Sequence, residues 1–322
     1  MKKIFLAAFI FLGFSFFLTA QTAEPSKQKI SFYLELNSSY KNQIFRDYLF
    51  DSPNVLNSRL DWDADYLFSL GLTGGMKIKG LELFVSTDFT LPFECGHMYD
   101  SDWRTPDMKT NFSISDLYPA FGNDSLIGIK YHFLPGKNQA EFFISPVLII
   151  SNSYMRYNAK NTIGWCGDIK HTGLTQNYPW DSEYATKWRK YGIDLTNNIT
   201  SVFCGLELSK KIRAFEVAGG VLVSPYTYIF SIDHHLNSGE GKYYMMIQEA
   251  FFSVLDFYLS TGYSINKKNQ IILSAQYSFC PRIDGKMYFG NNATNYELTI
   301  DISGFSFKKF STTLSWRLSF GD

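Results

Sequence analysis

The sequence predicts an all-β protein, a ten-stranded antiparallel transmembrane β-barrel with short periplasmic turns and long extracellular loops. Three observations support this fold. Aromatic residues make up 18% of the chain although only 45% of residues are hydrophobic. Several segments alternate between apolar and polar residues, and their connections fall into a short and a long class. A membrane barrel accounts for all three, because each strand turns one face to lipid and the other to a polar interior.

The start of the chain has the pattern of a secretory signal peptide. Two lysines precede the apolar stretch 4–18, and small residues follow up to Ala20 or Ala23, either of which is a candidate cleavage point. A transmembrane anchor is the alternative, but the stretch is short and polar residues follow at once. We therefore expect residues 1–23 to be a signal peptide and residues 24–322 to form one barrel domain in the cell outer membrane.

Period-two alternation identifies the strands. In QIILSAQYS at 270–278, Ile271, Leu273 and Tyr277 alternate with residues that are mostly polar. Such a pattern is typical of a strand with two different faces. The same pattern occurs over much of 30–36, 81–89, 126–133, 254–265 and 299–319.

The connections predict the number of strands. The short ones are predicted tight turns at 77–80, 135–138, 209–212 and 266–269. The long ones are predicted polar loops at about 45–57, 94–110, 158–185, 232–243 and 282–295. Nine connections join ten strands, an even number as in single-chain bacterial barrels. A closed barrel also pairs every strand edge. A secreted β-sandwich, the soluble alternative, would have shorter strands and more frequent turns.

Charge and cysteine content exclude several classes of function. Thirty basic and thirty acidic residues give no net charge, so we expect no nucleic-acid partner. The four cysteines have neither CxxC nor zinc-site spacing, and we expect no metal and no cofactor. Cys95 and Cys166 lie near predicted long loops, and both a disulfide and unpaired thiols are open. We expect a monomer.

Two polar clusters are candidates for a site. MYDSDW at 98–103 contains Asp100 and Asp102 in the second long loop, and SIDHH further along contains Asp233 and His235 in the fourth. In a ring of ten strands these loops face each other across the extracellular mouth. Asp233 and His235 are two residues apart, so at a strand end they share a face, while His234 between them points to the other face.

These groups can activate water. A neutral histidine accepts a proton from water, and a carboxylate on its other ring nitrogen fixes the tautomer. Two close carboxylates opposite would tend to share a proton. Ordinary solvated loop residues are the plainer interpretation, and a metal site built from the same groups is another.

The two clusters resemble the paired signatures of the omptins, a family of outer-membrane aspartyl-type endopeptidases. MYDSDW resembles the family's Asp-x-Asp-Trp in the second loop, and IDHH resembles its Asp-x-His in the fourth. LDW at 60–62 and the segment 251–276 also resemble family segments, so that the similarity extends along nearly all of the mature chain.

The resemblance implies a role for each residue. Asp100 and Asp102 would form a carboxylate couple, and Asp233 and His235 a dyad. His235 would deprotonate a water that attacks the scissile carbonyl, with Asp233 orienting His235 and Asp102 supporting Asp100. The substrates implied are peptides or proteins at the cell surface, and the active site would face outside.

The substrate pocket departs from the family. Omptins cut between basic residues and use a glutamate late in strand one and an aspartate two before the dyad acid. Asn42 or Lys41 stands at the first position and Ser231 at the second, so we take Asn42 and Ser231 as the expected substrate-binding positions and do not expect a dibasic preference. Substitute acids nearby are Glu35, Asp47, Asp63 and Asp65.

Family members also need lipopolysaccharide for activity. Arg156 resembles one basic lipid-binding position, but Asn198 and Ile247 replace two others. A different outer-leaflet lipid, or none, is therefore open. A non-catalytic barrel for adhesion or structure is the main alternative function. A diffusion pore is disfavoured because side chains nearly fill a barrel of about ten strands, and a lipid-modifying enzyme lacks a serine placed with His235.

Overall fold

The computed structural model describes residues 30–52, 55–133, 142–190, 192–236, 242–292 and 294–321. The predicted signal peptide and the predicted turn at 135–138 lie outside these residues. The strands are β1 (Ile30–Ser52), β2 (Val55–Ile78), β3 (Leu81–Thr90), β4 (Gly96–Asp102), β5 (Asn111–Tyr131), β6 (Phe142–Cys166), β7 (Thr186–Lys190), β8 (Ile193–Ile212), β9 (Phe215–His235), β10 (Lys242–Ala250), β11 (Val254–Ser264), β12 (Asn269–Asn292) and β13 (Asn295–Phe320), and a short helix α1 (Ile169–Thr172) follows β6.

The strands form one closed antiparallel ring of ten wall positions. The order around the ring is β1, β2, β3 with β4, β5, β6, β8, β9, β10 with β11, β12 and β13, and β13 pairs with β1 to close it. β3 and β4 share one position because both pair with β2 and β5. β7 is added to the edge of β6. The predicted all-β ring of ten antiparallel strands is confirmed.

Side chains alternate between the two faces of the wall. On β1 the inward residues are buried and mostly polar, and they are Glu35, Asn37, Ser39, Lys41 and Gln43. The outward residues of the same stretch are exposed and apolar, and they include Phe32, Leu34 and Leu36. A barrel with a polar interior and an apolar outer surface is the expected result of this alternation.

The exposed apolar residues form a band around the barrel, here called the apolar belt. On β13 the belt runs from Phe320, beside the short turns, to Phe310, with Leu314 and Trp316 between them. Ten residues at about 3.3 Å each span about 33 Å along the strand. A strand tilt of about 40° reduces this to a height of about 25 Å, the usual height of the apolar band in outer-membrane barrels.

Charged side chains close the interior at the level of the belt. Asp124 on β5 accepts hydrogen bonds from Lys41 of β1 at 2.6 Å and from Lys309 of β13 at 2.8 Å. Nearer the short turns, Lys130 and Tyr258 both donate to Glu207, at 2.7 and 2.8 Å. These contacts join strands on different sides of the ring, so the lumen is filled rather than open.

The connections differ in part from the prediction. β1 continues to Ser52 and β12 to Asn292, so most of the predicted loops 45–57 and 282–295 are strand. In the predicted loop 232–243, residues 232–235 and 242–243 are strand, and residues 237–241 lie outside the described ranges. The sequence did not indicate this because these extensions lie beyond the belt, where neither face needs apolar residues. The turn predicted at 209–212 is wrong by a few residues, since β8 ends at Ile212 and β9 starts at Phe215.

The cysteines and the helix complete the description. All four cysteines, Cys95, Cys166, Cys204 and Cys280, are unpaired thiols. Of the alternatives left open for Cys95 and Cys166, the structure therefore has unpaired thiols. Within the ranges described above, no helix is long and apolar enough to cross a membrane.

Asp124 carries a prediction about stability. Asp124→Asn removes the carboxylate that neutralises two inward ammonium groups, and breaking a buried ion pair from one side costs about 3–5 kcal/mol. We expect a clearly lower urea midpoint for the refolded variant, followed by tryptophan fluorescence. Asp181→Asn, on an exposed loop position, is the matched control and is expected to change stability by less than about 0.5 kcal/mol. Equal midpoints for the two variants would contradict this role of Asp124.

Candidate functional site

Asp100 and Asp102 were predicted to lie in a long loop, but they lie on strand β4. β4 is hydrogen-bonded between β2 and β5, with Asp100 opposite Leu60 and Ser113. Met98, two residues earlier, is fully buried inside the barrel. Alternation therefore directs Asp100 and Asp102 into the lumen as well. The two acids stand beyond the apolar belt, at the end of the barrel away from the short turns.

Gly96 allows β4 to begin at this point. Its φ is +144°, and a Cβ atom there would lie 2.1 Å from the carbonyl oxygen of Asp63. Only glycine fits such a close approach of two backbones. The sharp change of direction after β3 returns β4 to the ladder with β2, and this sets the register that aims Asp100 and Asp102 inward.

Asp102 is held by neighbouring side chains. Arg104 Nη2 lies 3.3 Å from its Oδ2, and Asn111 Nδ2 lies 3.4 Å from the same oxygen. Asn111 also donates to Asp168 Oδ2 at 2.7 Å. Asp168 caps α1 by accepting from the backbone N–H of His171 at 2.9 Å. A chain of hydrogen bonds through Asn111 of β5 thus connects Asp102 to Asp168 in the segment after β6.

Asp233 and His235 stand at the end of β9. Asp233 lies opposite Leu195 of β8 and Tyr244 of β10, and it is buried. His234 points the other way and stacks on Tyr243, with ring centroids 4.1 Å apart and planes 5° apart. The predicted division of faces within this tripeptide is therefore confirmed. The ring of His235 is half-buried and contacts the ring of Tyr244 edge to face, with ring centroids 4.9 Å apart.

The two halves of the site interact through their charges. β4 and β9 are four wall positions apart in the ring of ten. Burial raises the pKa of Asp233 well above its ordinary value, and the nearby charges of Asp47 and Asp100 raise it further. Burial likewise raises the pKa of Asp100, with the charge of Asp102 adding to it. The structure therefore brings Asp100 and Asp233 within electrostatic reach of each other across the lumen.

Asp47 is a third acid of the site. It lies on β1 with 3% of its surface exposed, and Trp62 Nε1 donates to its Oδ2 at 3.0 Å. Its Oδ1 has no hydrogen-bond partner within the part of the chain that the structure describes. Burial raises the pKa of Asp47 to about 7. Sequence reasoning named Asp47 only as one of several nearby acids, although its inward parity on β1 was a usable signal.

Tyr244 was missed entirely. Its ring contacts His235 and also lies against Phe289 with centroids 5.3 Å apart. Burial raises the pKa of its phenol, and the charge of Asp233 adds to this. Its place opposite Asp233 depends on the pairing of β9 with β10, which no single segment of sequence reveals.

The surroundings keep His235 neutral. Burial lowers its pKa to about 4, and the positive charges of Lys242 and His234 contribute. A layer of apolar side chains, here called the apolar floor, lies just below the acids and excludes water from the site. It consists of inward side chains that are almost fully buried, namely Phe45, Trp62, Met98, Tyr157, Leu195, Ile229 and Phe305.

The two predicted substrate-binding positions have different outcomes. Asn42 is on the outer wall, where its Nδ2 donates to Asp65 Oδ1 at 3.1 Å. The prediction for Asn42 is wrong, because even-numbered residues of this part of β1 face outward. Ser231 does face the lumen, two residues before Asp233, and is fully buried. Its hydroxyl has no hydrogen-bond partner within the described ranges.

Arg156 lies on the outer wall, exposed, on β6. Asn198 and Ile247 also face outward, on either side of Phe230 of β9. The two positions that carry no charge in this chain therefore lie on one face of the wall, two strands apart. A lipid role for Arg156 stays a prediction. No cluster of histidine, cysteine and acidic side chains suited to a metal ion occurs among the described residues.

Comparisons with known proteins support the fold. The outer membrane protease OmpT from Escherichia coli superposes with a TM-score of 0.76 over 93% of this chain and 99% of that chain, at 16% sequence identity. OprG from Pseudomonas aeruginosa covers 91% of this chain and 98% of its own, with a TM-score of 0.33 and 11% identity, too low to support an argument. No protein-family model matches the sequence, and no curated protein matches it significantly.

Asp47 carries a prediction about pH. Its pKa is about 7 in the folded chain and has an ordinary value of 3.8, so the unfolded chain loses the proton first as pH rises. The contribution of Asp47 to wild-type stability therefore falls between about pH 4 and pH 7 and is level above. Asp47→Asn keeps an oxygen that accepts the hydrogen bond from Trp62, and it removes the fall in stability that the titration of Asp47 causes. We expect the thermal midpoint of the variant to exceed that of wild type increasingly up to pH 7. A difference that does not depend on pH would contradict the raised pKa.

Proposed function

We propose that this protein is an outer-membrane endopeptidase that hydrolyses peptide bonds with an activated water, and that its active site faces the cell exterior. One observation carries the proposal. Asp100 and Asp102 on β4, and Asp233 and His235 on β9, converge at one end of a barrel whose fold is that of an outer membrane protease. The catalytic roles are those that the omptin resemblance implies.

The chemistry begins with a neutral histidine. With its pKa lowered, the ring of His235 is neutral at neutral pH, and its unprotonated nitrogen can accept a proton from a water held between it and Asp100. The hydroxide formed attacks the carbonyl carbon of the peptide bond. The imidazolium then returns its proton to the leaving nitrogen. Asp233, two residues before His235 on the same face, orients the ring, and the imidazolium that forms favours the ionised form of Asp233.

Asp102 and Tyr244 support the reacting groups. Asp102 stays fixed by Arg104 and Asn111, and its charge favours the protonated form of Asp100. A protonated Asp100 can donate a hydrogen bond to the oxygen of the tetrahedral intermediate. The ring of Tyr244 limits rotation of His235 by its edge contact. No covalent intermediate is involved, because the nucleophile is water.

The apolar belt supports the membrane location. Its height of about 25 Å matches the hydrocarbon layer that barrels span. The site lies beyond the belt on the side away from the short turns, and in outer-membrane barrels that side faces the exterior. A chain inserted in this way would present Asp100 and His235 to peptides outside the cell.

Asp47 is the group best placed to receive a basic side chain of the substrate. It is buried at the loop end of the lumen and has one unpaired oxygen among the described contacts. A guanidinium or ammonium beside it would favour the ionised carboxylate. The site therefore favours one basic residue near the cut rather than a pair.

An adhesion barrel, which needs no dyad, is the second candidate function, and the exposed strand extensions favour it.

The first test compares two adjacent histidines. His235→Ala removes the proposed base, and general-base removal lowers rates by about 10²–10⁴-fold. Asp100→Ala is expected to lower kcat similarly. His234→Ala is the matched control, because His234 faces outward, and it is expected to retain activity. Refolded proteins are incubated with a mixed peptide library, with and without added lipids. Cleavage that is equal in wild type, His235→Ala and Asp100→Ala would rule out the peptidase and leave adhesion. Cleavage that is absent from every protein would do the same.

The second test concerns the substrate. Asp47→Asn is expected to raise KM at least about tenfold for peptides with lysine or arginine at the cut, since a charge-assisted hydrogen bond contributes about 1.5–3 kcal/mol. Peptides with neutral residues there should be affected little. Asp63→Asn, on the outer wall, is the control. A uniform loss of kcat over all peptides would instead place Asp47 in the catalytic step.

A further inference from the structure

A cleft lies on the outer wall of the barrel where β13 passes between β1 and β12. It is open to solvent and has a volume of about 200 Å³. Its floor is formed by Ser306 and Phe307 of β13. Its walls are Ile44 and Arg46 on one side and Phe279, Cys280, Pro281 and Arg282 on the other, with Lys308 at one end.

A bulge and two small residues create the cleft. The pairing of β12 with β13 shifts between Cys280 and Ile283, and this turns Pro281 and Arg282 out of the ladder. β13 presents only Gly304 and Ser306 between the flanking side chains. The outer wall is therefore recessed at this point.

Basic groups surround the cleft. Lys308 is exposed and has no ion pair within the described residues. Arg282 lies over the ring of Phe50 at 4.6 Å and pairs with the exposed Asp284 at 3.1 Å. Arg46 pairs with Asp61 at 2.7 Å.

The charged side chains that line the cleft itself are all basic, namely Arg46, Arg282 and Lys308. Asp61 pairs with Arg46 and also binds Arg59 at 2.8 Å, so one carboxylate serves two guanidinium groups. Asp63 lies opposite Ile44, and Asp65 accepts a hydrogen bond from Asn42, so these acids stand on the β2 side of the cleft. The cations nearest an anion in the cleft on the side away from β2 are Lys308 and Arg282.

The cleft lies at the edge of the apolar belt. Tyr277 and Asn42 both pair with Phe310, the last apolar residue of the belt on β13. The next outward residue on β13 is Lys308, and it pairs with Ile44 and Phe279 of the cleft walls. Two residues correspond to about 7 Å along the strand. This is the level at which lipid headgroups meet a membrane barrel.

We propose that this cleft binds the phosphate headgroup of an anionic phospholipid. Arg282 and Lys308 would contact the phosphate, and the acyl chain would follow Phe279 and Ile44 down to the belt. The proposal rests on the proposed membrane location and not on the peptidase chemistry. The cleft is also separate from Arg156, since β6 and β13 lie on opposite sides of the ring.

The test measures lipid retained by the full refolded chain. Protein in detergent micelles with equal amounts of phosphatidylglycerol and phosphatidylcholine is examined by native mass spectrometry. Wild type is expected to retain more phosphatidylglycerol than phosphatidylcholine. The double variant Arg282→Gln, Lys308→Gln should lower this retention roughly thirtyfold, since each cation near an anionic lipid contributes about a fivefold factor.

One control variant locates the site. Lys286→Gln changes an exposed lysine further along β12 and should retain phosphatidylglycerol like wild type. Thermal unfolding checks that every variant is folded. Unchanged retention in the double variant, or an equal loss in Lys286→Gln, would overturn the proposal. Displacement of the lipid by equimolar inorganic phosphate would overturn the lipid as the ligand. Peptide cleavage is scored separately, so that failure of one proposal leaves the other intact.

Discussion

Closure of the ring between β1 and β13 fixes the direction of every side chain in the molecule. With no free edge, a strand cannot slip by one residue without moving its whole inner set of residues to the outside. The same register therefore sets the belt, the charged interior and the site. Asp47 reaches the lumen for the same reason that Arg46 reaches the cleft on the outer wall. Each functional group described above is a consequence of parity along a paired strand.

The narrow lumen then determines the charge state of the site. Ten strands leave little room for water, and the apolar floor beneath the acids removes more. The charges of Asp47 and Asp100 both raise the pKa of Asp233, so the ionisation of one acid disfavours the ionisation of the next. Acids that resist ionisation can donate a hydrogen bond, and a cation that enters beside one of them favours its ionised form.

Local patterns carried most of what the sequence could predict. Alternation has a period of two and needs no knowledge of the partner strand, so the strands and the opposite directions of His234 and His235 followed from it. The number of ten strands followed from the short and long connections. Asn42 was wrongly placed because the family alignment, and not parity, assigned it to the pocket. Tyr244 was missed because its place depends on which strands become neighbours. The long strand extensions were read as loops because beyond the belt both faces are polar.

The charged interior also favours the proposed substrate-binding role of Asp47, which stands near the loop end. Lys41 faces the lumen, but it is bound to Asp124 and closes the barrel at belt level. Gln43 donates to Tyr157, and Phe45 packs on Phe305 with centroids 5.9 Å apart. A substrate side chain entering from outside would meet Asp47 before any of these. On β1, therefore, a carboxylate deeper than Asp47 would be out of reach, and this one position is left to select a basic residue.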